Sequence, residues 1–351
     1  MESAIAPHLR CPRSQPARMP AGYTPPVPAY TARYAPGQTH AVMAYHGVQY
    51  RDLADREAAV AGLQTLRNAV HGADAPRFSD LAQYRDPEGW DTLVWTAYWS
   101  DRASHQRWQL HPAVQIFWQS DERLSGSTGW FREVACPGVD RFETLMSSPD
   151  GQEAVARLAD AVSDEILEHA YWGGMRDRLP ASQTDALTGA TPAAPPTKPR
   201  PGQRVVIEGQ HNMALIRSGQ NWAHTGGVER ERYLGEVEPV LREGMDFLSS
   251  PQGLGVGCLF NRYLRVLDED FLPMDKSYGL SGWRSLAHME AWAEKHPTHQ
   301  QIFGSFMGML QAIAAPPNLR LYHEVSVLQA GDAHFEYVNC HPGTGLLRAA
   351  T

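Results

Sequence analysis

The sequence predicts an α+β fold in which two ferredoxin-like lobes pack sheet to sheet as an α/β barrel of the dimeric type. Three observations predict it. Strand-like and helix-like segments alternate along most of the 351 residues, and the second half repeats the first. The repeated unit is a doubled βαβ pattern with antiparallel pairing.

Residues 1–38 are rich in Pro, Ala and Arg, have neither helical nor strand periodicity, and read as an extended arm across the body or a partner subunit. The first lobe is placed at 39–150. Its strands are VMAYHGVQY (42–50), TLVWTAYW (92–99) and WFREVA (130–135), and its helices are DREAAVAGLQTLRNAV, SDRASHQRWQ and PAVQIFWQ. Residues 151–203 form a connecting insert that ends in the linker ALTGATPAAPPTKPRPGQ (186–203). The second lobe, 204–351, carries strands RVVIEG, MALIRSG, YLRVLD, RLYHEVSV and FEYVNC, with helices VERERYLGEVEPVLREGMDFL, SLAHMEAWAEK and PTHQQIFGSFMGMLQAI. The common unit reads as strand, helix, strand, helix, strand.

The repeat is visible residue by residue. Trp99 and Trp108 have the spacing of Trp283 and Trp292, and His111-Pro112 matches His296-Pro297. Ile116-Phe117 matches Ile302-Phe303. WFREV aligns with LYHEV, which sets Arg132 against His323; further on, Phe142-Glu143 meets Phe335-Glu336. VMAYHGVQ pairs loosely with NMALIRSGQ.

Several function classes are excluded. A net charge of −8 with no Lys/Arg-dense stretch argues against nucleic acid. No apolar run approaches the roughly 18 residues of a membrane span, and the N-terminal segment lacks the apolar core of a secretory signal. Cys11, Cys136, Cys258 and Cys340 are far apart with no CxxC pair, as expected of reduced thiols in a cytoplasmic protein. Ten Trp and 26 Pro point instead to aromatic-lined pockets and irregular connections.

The sharpest local signal is HPTH at 296–299. Pro297 suits the first position of a helix, which puts His299 in the first turn. His296 and His299 share a face and have the spacing of a joint metal site. The repeat argues against that pairing, because His296-Pro297 recurs as His111-Pro112 whereas His299 faces Val114 (or Ala113) in the other lobe. A histidine present in one of two equivalent places, beside Ile302, Phe303 and Phe306, suits a single axial haem ligand; an ordinary core histidine remains the other reading. Without CxxCH any haem is non-covalent. His323 lies on an otherwise apolar strand face with Leu321 and Val325, as a core group or a buried proton donor. The segment EHAYWGGMRDRLP (168–180) offers an anion clamp or a solvated basic face. Glu143 and Ser218 stand out only in context.

Together HPTH, RLYHEVSV, FEYVNCHPGTG, YWGGMRDR, ALIRSGQ, WFREV and FETL resemble the haem-containing aldoxime dehydratases, and the resemblance covers essentially the whole chain. It implies one ferrous haem b (protohaem) in the second lobe, a cytoplasmic homodimer, and a lyase that dehydrates small aldoximes to nitriles. By position, His299 resembles the proximal ligand and His323 the distal acid that protonates the leaving hydroxyl. Ser218 resembles the residue that hydrogen-bonds the oxime oxygen, and Arg178 and Glu143 resemble the partners that poise His323. The connection 308–323, with Pro316-Pro317, is longer than the family's pattern, and the 186–203 linker diverges. The alternative is another haem protein on the same architecture, either a peroxidase-like enzyme or a non-catalytic carrier or sensor.

Overall fold

The computed structural model describes residues 1–70, 72–190, 200–313 and 316–350; the middle of the 186–203 linker and two residues of the 308–323 connection lie outside them. The first half contains β1 (Ala32–Arg33), β2 (Val42–Tyr50), α1 (Arg56–Asn68), β3 (Phe78–Arg85), β4 (Asp91–Trp99), α2 (Arg102–Gln109), α3 (Pro112–Gln119), β5 (Gly129–Ala135) and β6 (Phe142–Met146). The connecting stretch adds β7 (Ala161–Val162) and α4 (Gly174–Arg178). The second half contains β8 (Arg204–Glu208), β9 (Met213–Asn221), α5 (Gly227–Arg232), α6 (Glu238–Ser249), α7 (Pro251–Gly255), β10 (Cys258–Leu267), β11 (Pro273–Trp283), α8 (Leu286–Lys295), α9 (Pro297–Ala312), β12 (Arg320–Leu328) and β13 (Ala333–Val338).

The main sheet therefore has three strands beyond those the sequence pattern marks, β3 and β6 in the first half and β11 in the second. β3 (FSDLAQYR) and β11 (PMDKSYGLSGW) contain no Val, Ile or Thr, so the usual β-branched signature is missing and pairing on both sides holds them in the sheet. The single long helix expected over 228–248 is present, running through residues 227–249 with one irregular stretch. Pro239 lacks the N–H that would continue the ladder, and the turn before it, Tyr233–Val237, widens to π geometry.

Eleven strands form one antiparallel sheet in the order β6-β12-β9-β11-β10-β3-β4-β2-β5-β13-β8. Within it, β3-β4-β2-β5 and β10-β11-β9-β12 have the same strand order, and the two sets meet edge to edge where Arg265, Val266 and Leu267 pair with Gln83, Ala82 and Leu81. The outer strands are exchanged. β6 follows the first set but pairs with β12 of the second, whereas β13 follows the second and pairs with β5 of the first. The sheet keeps two free ends, β6 and β8, so strand pairing does not close it into the expected barrel.

One apolar core joins Tyr45, Tyr98 and Phe131 of the first set to Phe260, Tyr278 and Tyr322 of the second. The outer faces are covered by helices: α1 buries Ala59, Leu63 and Leu66 along one stripe, each leucine contributing about 1.5–3 kcal/mol. The N-terminal arm lies on the body. Glu2 N donates to Glu165 O, and the Arg18 and Met19 amides donate to Asp177 Oδ2 at 2.8 and 2.9 Å, which ties the arm to α4. All four cysteines are free thiols, and among the described residues no helix is long and apolar enough to cross a membrane.

Candidate active site

Strand register assembles the floor of the site. Ser218 on β9 lies directly opposite His323 on β12, and His323 lies opposite Leu145 on β6. Directly paired residues point to the same face, so Leu145, His323, Ser218 and Ile216 form one patch beneath the helices. Their chain neighbours Arg217, Tyr322 and Glu324 point the other way, into the core. Arg217 pairs there with Asp80, and Glu324 accepts from Tyr98 Oη at 2.5 Å. Those neighbours are buried, whereas Leu145, His323, Ser218 and Ile216 are only half-buried although β9 and β12 are interior strands.

The roof is α9. His296 caps it: its Nδ1 accepts from Thr298 N at 3.3 Å, and its ring stacks on Phe247 at 4.3 Å. His111 caps α3 in the same way, so the His-Pro pair is architectural, as the repeat implies. His299, one position beyond Thr298, is free of that task. Its ring packs edge-on to Trp292 at 4.8 Å and to Trp172 at 5.9 Å, and its buried Nδ1 has no hydrogen-bond partner. Burial lowers its pKa, only partly opposed by the Ala293 carbonyl, which keeps the imidazole neutral and fit to ligate a metal.

Arg178, in the last turn of α4, forks onto Glu143 of β6 with Nε to Oε2 at 2.6 Å and Nη2 to Oε1 at 3.1 Å. Its Nη1 donates to Glu168 O at 2.8 Å. Both side chains are almost fully buried. Arg176 is likewise held by Glu290, so neither guanidinium of YWGGMRDR is left as an open anion clamp. Burial raises the Glu143 carboxyl and Arg178 pulls it back. His323 is pushed down to about 4, first by burial, then by the charge of Arg178 and by His299. Arg178 thus opposes protonation of His323. Glu143 lies across from Val325 rather than His323 and is engaged by Arg178, so it acts on the imidazole only by tempering that guanidinium.

The half-buried strand face and the uncovered apolar side of α9 fit an apolar macrocycle that His299 would hold. Counted from its capping histidine, α3 buries Val114 and Trp118 at the third and seventh positions, 1% and 3% exposed. At the same positions of α9, His299 is half-buried and Phe303 is 51% exposed. A side chain added at Gly304 or Gly308 would meet nothing within 4 Å. Of the sixteen residues of α9 only Met309 is fully buried, despite Ile302, Phe303, Phe306 and Met307. Phe303 also lies 6.0 Å from Trp172, making an aromatic wall beside His299. Haem requires such an apolar sleeve with one imidazole on one side and polar groups on the other.

The family model described as haem-containing dehydratase matches residues 44–346. The chain belongs to the haem-containing dehydratases. It is 45% identical to the aliphatic aldoxime dehydratase of Pseudomonas chlororaphis, covering 100% of this chain and 99% of that one. It is 33% identical to the phenylacetaldoxime dehydratase of a Bacillus species, over 94% and 93% of the two chains. A crystal structure of an aldoxime dehydratase in complex with butyraldoxime superposes with a TM-score of 0.92 at 42% identity, covering 100% of this chain and 97% of the other.

For this dehydratase, sequence reading named His299, His323, Ser218, Arg178 and Glu143. The structure pairs Ser218 with His323, brings His299 near enough to act on the His323 imidazole, and joins Arg178 and Glu143 in one ion pair. It missed Trp172 as a wall of the site, because an exposed tryptophan after a turn has no periodicity to mark which helix it meets.

Proposed function

We propose that this chain dehydrates aldoximes to nitriles with one haem b held by His299. Its substrate is a small aliphatic or arylaliphatic aldoxime. The observation that carries the proposal is the nearness of the α9 imidazole His299, whose Nδ1 has no partner, to the Ser218–His323 pair on the strands. Haem in the ferrous state, held by His299, would supply an electron-rich metal whose electron density would weaken the oxime N–O bond.

The side chains do the rest. The Ser218 hydroxyl donates to the oxime oxygen and fixes its orientation. His323 donates a proton to the departing hydroxyl, which leaves as water, and recovers a proton from the substrate carbon as the C≡N bond forms. R–CH=N–OH is thereby converted to R–C≡N and water with no net proton change. Such acid catalysis contributes roughly 10²–10⁴-fold. Burial and Arg178 hold the His323 pKa low, so a proton once taken up there is readily given to the leaving oxygen, and the Glu143 carboxylate on Arg178 limits how far that lowering goes.

Each four-stranded set with its helices is one ferredoxin-like lobe, supported by their identical strand order. The lobes span 39–150 and 204–351, joined by 151–203 and preceded by the arm at 1–38, with haem in the second. The chain works as a cytoplasmic homodimer. In an anaerobic assay with dithionite, the purified protein is expected to convert butyraldoxime or phenylacetaldoxime to the nitrile. His299→Ala should lose the Soret band, and His323→Ala should keep it but lose at least 100-fold in rate, about the lower end for a general acid. Nitrile formation by His323→Ala near the wild-type rate would remove the acid assignment, and peroxide-driven dye oxidation without nitrile would replace the whole reading with a peroxidase.

A further inference from the structure

The two lobes can be superposed residue by residue from strand register and helix caps alone. Gly47 on β2 pairs with Phe131, whose ring covers it, and Gly219 on β9 is covered in the same way by its partner Tyr322. One position earlier, His46 faces Arg132 where Ser218 faces His323. On the other side of the same row, His46 pairs with Trp95 of β4 and Ser218 pairs with Gly279 of β11. Counting from the caps Asp101 and Ser285, Trp108 on α2 corresponds to Trp292 on α8. Only Trp95 and Gly279 differ so far in size.

In the first lobe the Trp95 ring stacks on His46 at 5.3 Å and meets Trp108 at 5.6 Å, bridging floor to roof. His46 is sealed in; both of its ring nitrogens are buried without a partner, and Trp108 and Trp118 close the remaining sides. The corresponding span in the second lobe runs from Ser218 to Trp292, which touches His299. Directly paired strand residues stand about 4.5–5.5 Å apart, so a side chain at 279 would rise beside the Ser218 hydroxyl into that span. A bare Cβ there would meet only the Met245 sulfur, at 3.0 Å.

We propose that Gly279, together with His299, makes the second lobe the haem lobe, by leaving to the haem and the movable Met245 side chain the volume that Trp95 fills in the first. The proposal rests on the haem-dependent reading above. Close-packed interiors have no spare room for an indole beside a macrocycle, so a large side chain and haem compete for the same space. The first lobe, by the same logic, keeps the fold and the floor of such a site but is filled by Trp95 and Trp118 and carries Val114 where the second lobe has His299.

The test is haemin titration of the haem-free chain as wild type, Gly279→Ala, Gly279→Leu and Gly279→Trp, read by the Soret band, with circular dichroism to confirm folding. Gly279→Ala is expected to stay within threefold of wild type, because the one methyl displaces only the flexible end of Met245. Gly279→Leu should bind at least tenfold more weakly, and Gly279→Trp should show no stoichiometric Soret band while folded. If Gly279→Trp does not fold, Gly279→Leu decides alone. Haemin affinity for Gly279→Leu within threefold of wild type overturns the proposal while leaving the dehydratase reading intact. A wild-type chain that takes up no haemin removes both. A wild type that binds haemin without forming nitrile removes only the activity.

Discussion

Replacing Arg178 with leucine strands Glu143. The arginine makes three hydrogen bonds, two to the Glu143 carboxylate and one to the Glu168 carbonyl, in a place where the two side chains are 5% and 1% exposed. Removing one partner of a buried ion pair costs about 3–5 kcal/mol, because the other charge is left in a low-dielectric site. Glu143 escapes part of that cost by taking a proton. Its carboxyl, already raised by burial, then rises further, so the folded state binds more protons than the unfolded one. The loss relative to wild type should therefore be greater at high pH, growing by up to about 1.4 kcal/mol for each pH unit above the unfolded carboxyl value until the raised one is passed. Urea unfolding of the haem-free protein at pH 5.5 and 7.5, followed by tryptophan fluorescence, measures both effects. The double variant Glu143→Leu/Arg178→Leu should recover most of the loss, since an apolar pair carries no orphan charge. A single variant that loses less than about 1 kcal/mol, or a double variant no better than the single, would refute the assignment of this pair as a closed ion pair.

His105, buried against Trp99 and Trp108 with a pKa near 4, is neutral when folded and takes a proton when unfolded. It therefore makes stability fall as pH drops from about 6.5 to about 4; His105→Gln should flatten urea stability over that window by about 3 kcal/mol, and an unchanged slope would contradict it. Gly219→Ala places a methyl inside the Tyr322 ring, which is held by Arg217 Nε at 2.9 Å, and should cost about 1–3 kcal/mol by overpacking; unchanged urea stability would mean the ring moves freely. Ser218→Ala is expected to retain the Soret band and lose about tenfold or more in nitrile formation, the size of a lost hydrogen bond of 1.5 kcal/mol. Equal rates would separate the hydroxyl from the oxime.

What was readable in the sequence was what a repeat or a period encodes. His299 could be separated from His296 because α3 carries the same cap without the second histidine, and Leu321, His323 and Val325 share a face because strands alternate. Pairing partners were not readable. Nothing local indicates that β6 leaves its own repeat for β12, and that exchange brings Glu143 within reach of Arg178. The repeat does not say whether strand pairing closes the sheet, and it does not: two four-stranded sets joined at one edge leave β6 and β8 as free ends. Gly279 was hidden for a plainer reason. Its strand has no β-branched residue, so β11 went unrecognised and could not be aligned with β4.

The exchange of outer strands has a consequence for how the chain is made. During synthesis β5 leaves the ribosome long before β13, and the contact between Arg132 and Glu336 spans 204 positions. Until then β5 presents an unsatisfied edge, and β6 waits in the same way for β12. Such edges invite pairing with the wrong neighbour, so a nascent chain of this topology is exposed to misassembly until its last strands arrive. Neither half can be finished alone. Fragments cut between the halves would each lack an outer strand that only the other can lend, so they should reach a complete sheet by complementation rather than separately.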